Sequence, residues 1–406
     1  MITVGWIGLG RLGLPLAISY ARAGVGVVAY DQKYPDLASL DSHPSISYER
    51  GGAEYLTAPV NLVLHHDRVF SNRVIFLVLP TPGSDLDPTA LFEFLYGLQG
   101  SGWIGSLVVV STVLPGECRR LSRYLGSGQR LYHISSYAGM GSVLADEALH
   151  KDIVIGSLDG KVDEYLATVL GVRYGDGWRH RARIVSYETS ELAKLAVNVV
   201  ASLKVGFSND MTRLCHRIEG ADADTVLGIV ARDQRASSGR YIGVGMADGG
   251  GCHPREVEAL KRLDDRPKES TFSAASLSRD TYNSWLAGTC SLGSGRVLVW
   301  GLGFKDGVPI TDGSSAVQVA ARLQEFGLDV RQYDPLAMLG RTTAGDKVEE
   351  FIQQPLTVLL ATDFGFSAIA SHLPSGSVVI DATRAGPLDL SLSDGVKYLR
   401  AGRGPV

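Results

Sequence analysis

The chain has 406 residues, of which 45% are apolar and 20% charged. That balance predicts a packed protein of two or three domains and excludes a disordered one. Lys and Arg number 39 against 43 Asp and Glu, for a net charge of -4, so the basic excess that nucleic acid demands is missing.

The N-terminus, MITVGWIGLG, has no charged n-region and enters a strand at once, so no signal peptide is expected. No apolar run reaches the ~18 residues of a membrane helix. Residues 2–7 predict a strand, GLGRLG a glycine turn, and LPLAISYARAG a helix; GVGVVAYD is the next strand. Further strands are expected at 74–79, 107–112 and 153–155. Short apolar runs alternating with helical stretches predict a parallel sheet covered on both faces. From Tyr187 to about Glu219 apolar residues recur at helical spacing, broken only by Gly206, which predicts one long helix. Residues 264–295 turn polar, then rich in Ser, Gly and Ala, and are read as carrying a boundary. A second strand–glycine–helix unit opens at RVLVWGLGF, and DVRQYDP, LTVLLATD and SVVIDATR read as strands. The expected architecture is α/β: two Rossmann-like doubly wound domains joined by a long central helix. The expected boundaries are 1–186, 187–290 and 291–406.

Gly8, Gly10 and Gly13 fall between a strand and a helix. They suit a tight turn, close approach of a pyrophosphate, and close helix–strand packing, respectively. Asp31 ends the next strand, where a carboxylate can hold two ribose hydroxyls and would repel a 2′-phosphate; NAD is therefore expected over NADP. LPTPG (79–83) and STVLPG (111–116) follow strands and would face the ligand crevice, bringing Pro80, Thr81 and Thr112 to it; plain turn-shaping is the competing explanation. Glu191, Lys194 and Asn198 share one face of the long helix. They could be a solvated ion pair with a neighbouring amide, or a proton donor or electrostatic stabiliser beside an amide that fixes a water. The four cysteines, at 118, 215, 252 and 290, form no CxxC. No metal site or disulfide framework is expected, and a reducing cytoplasm is the expected location. Cys252 follows Gly249, Gly250 and Gly251 and precedes Arg255. Flanking glycines would leave a thiol approachable and the arginine would favour a thiolate; a buried cysteine in a glycine turn is the alternative.

The order GLGRLG, YDQ, YERG, LPTP, STVLPG, E-x-x-K-x-x-x-N, DQR, GGGC, GLGFK, YDP resembles the UDP-glucose/GDP-mannose dehydrogenase family, from Gly5 to about Arg384. The resemblance implies NAD-dependent oxidation of a nucleotide sugar at C6 to the uronic acid, a four-electron reaction. UDP-glucose or a related UDP-hexose is the expected substrate, and the central helix is expected to form a homodimer. It implies Cys252 as the nucleophile that captures the C6 aldehyde. Lys194 would stabilise oxyanions, Asn198 would bind water and substrate, and Thr112 would lie near the catalytic water. Lys305 would bind substrate, as would Arg235, lent to the neighbouring subunit; Gly249 and Gly250 belong to the same substrate loop, and Lys204 and Asn209 to its lining.

Some positions depart from the family pattern. Tyr137 stands where the family has a glutamate, and a tyrosine cannot act as a carboxylate base; Asp146 and Glu147 lie downstream. The family Pro-Lys-Asp reads Pro254, Arg255, Glu256. Asp312 stands in place of an NAD-contacting arginine. A two-electron dehydrogenase on the same scaffold, and a non-catalytic nucleotide-binding homologue, are the competing expectations.

Overall fold

Residues 2–36, 40, 43–49, 62–149, 152–234, 241–337, 348–384 and 388–403 are described in this computed structural model. The chain divides into two units, Met1–Val197 and Asn198–Val406. In the first, the strands are β1 (Thr3–Ile7), β2 (Gly26–Tyr30), β3 (Leu62–Leu64), β4 (Val74–Leu77), β5 (Gly105–Val109), β6 (Gln129–His133), β7 (Ile153–Gly156) and β8 (Ala182–Val185). They form one sheet in the order β3-β2-β1-β4-β5-β6-β7-β8. Its first six positions follow the dinucleotide-fold order, with the reversal between β1 and β4.

The inner strands read as nearly unbroken apolar runs because both faces are covered. Alternate residues supply opposite cores. Val4, Trp6 and Phe76 point to one side, where Trp6 stacks on Phe76 at 4.8 Å between ring centroids. Ile7, Ile75 and Leu77 point to the other. The expectation of a wholly parallel sheet needs one correction. β6 and β7 meet antiparallel, through His133 and Gly156. Gly156 is needed there, since a Cβ would lie 2.9 Å from that of Ser190 and 3.2 Å from that of His133.

In the second unit β9 (Arg296–Trp300), β10 (Asp329–Tyr333), β11 (Thr357–Leu360), β12 (Val378–Asp381) and β13 (Lys397–Arg400) form a parallel sheet, ordered β10-β9-β11-β12-β13. This is the other common doubly wound order. The predicted fold class therefore holds. The polar edge strand β13 is tied in by Arg400, whose Nη1 donates to Asp381 Oδ1 at 3.0 Å and whose Nε donates to Asp224 at 3.1 Å.

The long helix runs Tyr187–Arg217. Gly206 is its one interior glycine, and Ser278 uses the space, donating its hydroxyl to the Gly206 carbonyl at 3.1 Å. Ser278 belongs to a second long helix, Thr271–Ser291, inside the stretch read as a boundary. Its small residues conceal it from periodicity arguments, yet Tyr282, Asn283 and Leu286 are fully buried. Among the described residues, no helix is long and apolar enough to cross a membrane.

Candidate active site

Each glycine of GLGRLG has its own steric reason. Gly8 has φ +96°, and a Cβ there would lie 2.2 Å from the Val78 carbonyl oxygen. A Cβ on Gly13, at the start of helix Gly13–Arg22, would lie 2.1 Å from the Gly8 carbonyl oxygen. Gly10 is different: it is exposed, with nothing within 4 Å of its Cβ position. That open space, beside amides at a helix start, suits a pyrophosphate. Asp31 accepts the Leu9 amide on Oδ2 at 2.6 Å and the Lys33 amide on Oδ1 at 2.8 Å. Each oxygen keeps a second acceptor position, as ribose hydroxyls require. The residues present therefore fit a dinucleotide.

Sequence reasoning missed His43. Its Nε2 lies 2.6 Å from the Leu9 carbonyl oxygen, and its Nδ1 accepts the Ser45 amide at 3.2 Å. Only the Nε2–H tautomer satisfies both contacts. Burial lowers its pKa, keeping the ring neutral beside the turn. A histidine 34 residues away gives no local signal for this contact.

The second glycine turn repeats the backbone of the first. The Gly301 amide donates to the Tyr333 carbonyl at 2.8 Å, as Gly8 does to Tyr30 at 3.0 Å. Its ligand space is closed, however. A Cβ on Gly303 would lie 2.5 Å from the Val308 carbonyl oxygen, where Lys305 and Val308 form a bridge. Asp306 stands where a third glycine would be. Asp334 accepts four amides: Leu302 (2.7 Å) and Gly303 (2.9 Å) on Oδ2, Leu336 (2.8 Å) and Ala337 (2.9 Å) on Oδ1. Those four fill its acceptor capacity.

The two strand-end loops of the first unit are laced together. Ser111 donates its hydroxyl to the Leu79 carbonyl, and Thr81 donates its own to the Thr112 carbonyl, both at 2.7 Å. Pro80 is exposed beside them. Glu191 corrects the ion-pair alternative for the helix face. It is fully buried and accepts the amides of Gly116 (2.6 Å) and Cys118 (2.7 Å), at the start of helix Glu117–Ser122. The cause is the helix end itself, whose orphan amides attract a carboxylate.

Lys194 is 8% exposed, and its Nζ sits 5.6 Å from the centroid of the Tyr137 ring. The loop carrying Tyr137 is pinned at several points. His133 is buried between two serine hydroxyls, Ser190 at Nδ1 and Ser135 at Nε2, each 2.8 Å away. Ser136 donates its hydroxyl to Glu147 at 2.7 Å and accepts the Ala138 amide at 3.1 Å. Asp146 accepts the Gly139 amide (3.0 Å) and the Ser142 hydroxyl (2.8 Å). Asp146 and Glu147 thus hold this loop.

In the second unit Cys252 is the N-cap of helix His253–Leu263 and is half-buried. The other three cysteines are buried, and burial raises all three thiols, Cys290 to about 12. The flanking glycines do not serve to bare the thiol, as expected. Gly249 and Gly250 are themselves buried, because Phe304 and Gly313 press on them. A Cβ on Gly249 would lie 2.8 Å from the Gly313 carbonyl oxygen, and one on Gly250 2.9 Å from the Phe304 ring. Only Gly251 is open. Asn198 donates its side-chain amide to Glu256 at 2.8 Å, and Glu256 is fully buried. Arg255 points its guanidinium to Glu256, at 3.4 Å, rather than serving only the thiol. Ser202, on the next turn after Asn198, contacts His253 at 3.1 Å. Asn209 is buried, and its Nδ2 has no hydrogen-bond partner among the described residues; Lys204 is half-buried. Lys305 and Asp312 are exposed. Arg235 lies outside the described residues.

A doubly wound sheet with an open glycine turn and a half-satisfied aspartate beside it is a dinucleotide-binding device. Residues 188–279 match the central domain of the UDP-glucose/GDP-mannose dehydrogenase family. The chain is similar to a UDP-glucose 6-dehydrogenase of Haloferax volcanii, 25% identical over 416 aligned positions that cover 93% of this chain and 96% of the relative. Its fold is that of a UDP-glucose dehydrogenase from Pyrobaculum islandicum (TM-score 0.78, 23% identity, 99% of this chain and 98% of that one). It is also that of a UDP-D-ManNAc dehydrogenase from Pyrococcus horikoshii (TM-score 0.79, 19% identity, all of both chains). The central stretch of the chain is thus that of the UDP-glucose/GDP-mannose dehydrogenase family. Members of that family are NAD-dependent, and NAD is the cofactor that the first glycine turn fits.

Proposed function

We propose that the chain is an NAD-dependent nucleotide-sugar 6-dehydrogenase that oxidises a UDP-hexose, UDP-glucose or a close relative, to the uronic acid in two stages. The observation that carries this reading is the placement of Cys252: alone among the four cysteines it is not buried, and it stands at a helix N-terminus, which favours a thiolate. Gly8, Gly10, Gly13 and Asp31 hold the dinucleotide, with Pro80, Thr81 and Thr112 along its crevice. The bound NAD supplies a hydride acceptor, twice per sugar.

Lys194 holds the C6 oxygen as it gains negative charge. After the first oxidation the Cys252 sulfur bonds to C6 of the aldehyde, and the carbonyl oxygen takes a proton. Loss of the remaining C6 hydride and the hydroxyl proton leaves a thioester. Water then adds to C6, the C–S bond breaks, and the thiol and the uronate are released. Covalent capture keeps the aldehyde from escaping. Asn198 and Glu256, which stands in the first turn of the cysteine helix, act as one unit, while Gly249, Gly250, Lys305 and Arg235 serve the nucleotide sugar.

The working division is cofactor binding in 1–186, helical coupling in 187–290 and sugar-nucleotide binding in 291–406. Pairing of two copies through the central helix is supported by an apolar stripe at heptad spacing. Val200, Phe207 and Leu214 are 51%, 44% and 47% exposed. A reducing, cytoplasmic location accords with four cysteines outside any disulfide.

Incubation with NAD and a panel of nucleotide sugars tests the reading. Two NADH per sugar and a uronic acid are expected, and Cys252→Ser should abolish the acid. A second reading rests on Tyr137, which is no carboxylate base: one NADH per sugar, with an aldehyde or ketone product, would replace the four-electron scheme by a two-electron one.

A further inference from the structure

Lys194 presents an unusual balance. A lysine this buried ordinarily needs a carboxylate or several hydrogen bonds to offset the lost hydration. Among the described residues it has neither, and its one close partner is the face of Tyr137. The ring stands at that spot for a local reason. The Ser136 side chain accepts the Ala138 amide, closing a turn of which Tyr137 is the central residue. The same hydroxyl donates to Glu147, which fixes the turn to helix Val143–Leu149. His133, clamped by Ser135 and Ser190, ties the start of this loop to the turn of the long helix that precedes Lys194. Burial raises the Tyr137 phenol, so the ring carries no charge of its own.

We propose that Tyr137 is the positioning residue for Lys194, holding the ammonium by its aromatic face in the place of an acidic partner. A carboxylate there would accept the ammonium's protons and set an anion beside a centre that itself becomes anionic. An aromatic face attracts a cation without accepting directed hydrogen bonds. The three N–H donors of Lys194 stay available for an oxygen of the substrate, while the side chain is still confined. That this oxygen is the sugar's C6 oxygen rests on the function proposed above; the hold of the ring on the ammonium does not.

Two variants and two readouts test this. Purified protein is treated with N-hydroxysuccinimidyl acetate, an ester that only the neutral amine attacks, with N-hydroxysuccinimide leaving, and acetylation of Lys194 is followed by peptide mass spectrometry. Tyr137→Leu should speed acetylation about 3- to 10-fold, whereas Tyr137→Phe, which keeps the ring, should stay within about twofold of the parent. In turnover, Tyr137→Leu should lower kcat by a similar factor with little change in KM, and Tyr137→Phe should restore it. NAD binding by each variant certifies that the first unit is folded. Equal acetylation of the parent and Tyr137→Leu overturns the proposal, as does a Tyr137→Phe variant as altered as Tyr137→Leu. The acetylation readout needs no substrate. If no nucleotide sugar is oxidised, the proposed function fails while this inference is still decided.

Discussion

Glu191 binds both sides of one turn, with the Gly116 amide on Oε2 at 2.6 Å and the Cys118 amide on Oε1 at 2.7 Å. The carboxylate thereby caps a helix 75 residues away in sequence and fixes the loop that carries Thr112. Glu191→Ala would strand two buried amides, at a cost of about 3 kcal/mol in unfolding free energy. Glu191→Gln keeps one good acceptor and should cost roughly half as much. Urea titration of the two variants orders them; equal midpoints for Glu191→Ala and the parent would refute the capping role.

His133 makes stability depend on pH. Burial, joined by the nearby Lys194 charge, lowers its pKa from 6.5 to about 4. Between those values the unfolded chain binds the proton and the folded chain does not. The contribution is therefore complete above about pH 6.5 and shrinks as the pH falls to about 4, by about 3 kcal/mol in all. From pH 7.5 to 5 the share is about 2 kcal/mol. His133→Asn should be less stable at pH 7.5 and should lose about 2 kcal/mol less than the parent on that descent. Parallel losses in the two proteins would show that another group titrates.

The glycines of the first turn should separate folding from ligand binding. Gly10→Ala points a methyl into open space, so the melting temperature should hold while NAD affinity falls at least about tenfold by steric exclusion. Gly13→Ala drives a Cβ to within 2.1 Å of a carbonyl oxygen, and should lower stability by about 3 kcal/mol or more. Calorimetry with and without NAD distinguishes the two. A Gly10→Ala variant that binds NAD normally would contradict the assignment of that space.

Gly250 has φ +80° and lies against the Phe304 ring. Gly250→Ala should cost about 2 kcal/mol, from backbone strain and the clash together. Phe304→Leu relieves the clash but not the strain, so the double variant should recover about half of the loss. Full additivity of the two changes in denaturant midpoints would mean that the loop does not pack on Phe304.

Local demands were legible in the amino-acid order. The turn at Gly8, Gly10 and Gly13, the strand ending at Asp31 and the helix face of Lys194 and Asn198 all follow from spacing, because each is set within a few residues. Contacts between distant segments were not. Nothing near Glu191 announces Gly116, and nothing near Asn198 announces Glu256, because the pairing is made by the fold. Strands β3, β6, β8 and β13 were missed because they are short or because polar or exposed positions break the apolar runs that reveal buried strands. The GGGC glycines were misjudged for a related reason. Glycine permits exposure and close packing alike, and the choice was made by Phe304, more than 50 residues on.

Writing the same glycine turn twice does not create two berths for a dinucleotide. The aspartate of the first copy retains vacancies in its coordination; that of the second is saturated by its own chain. Any census of dinucleotide pockets drawn from fingerprints alone would count this molecule one too many.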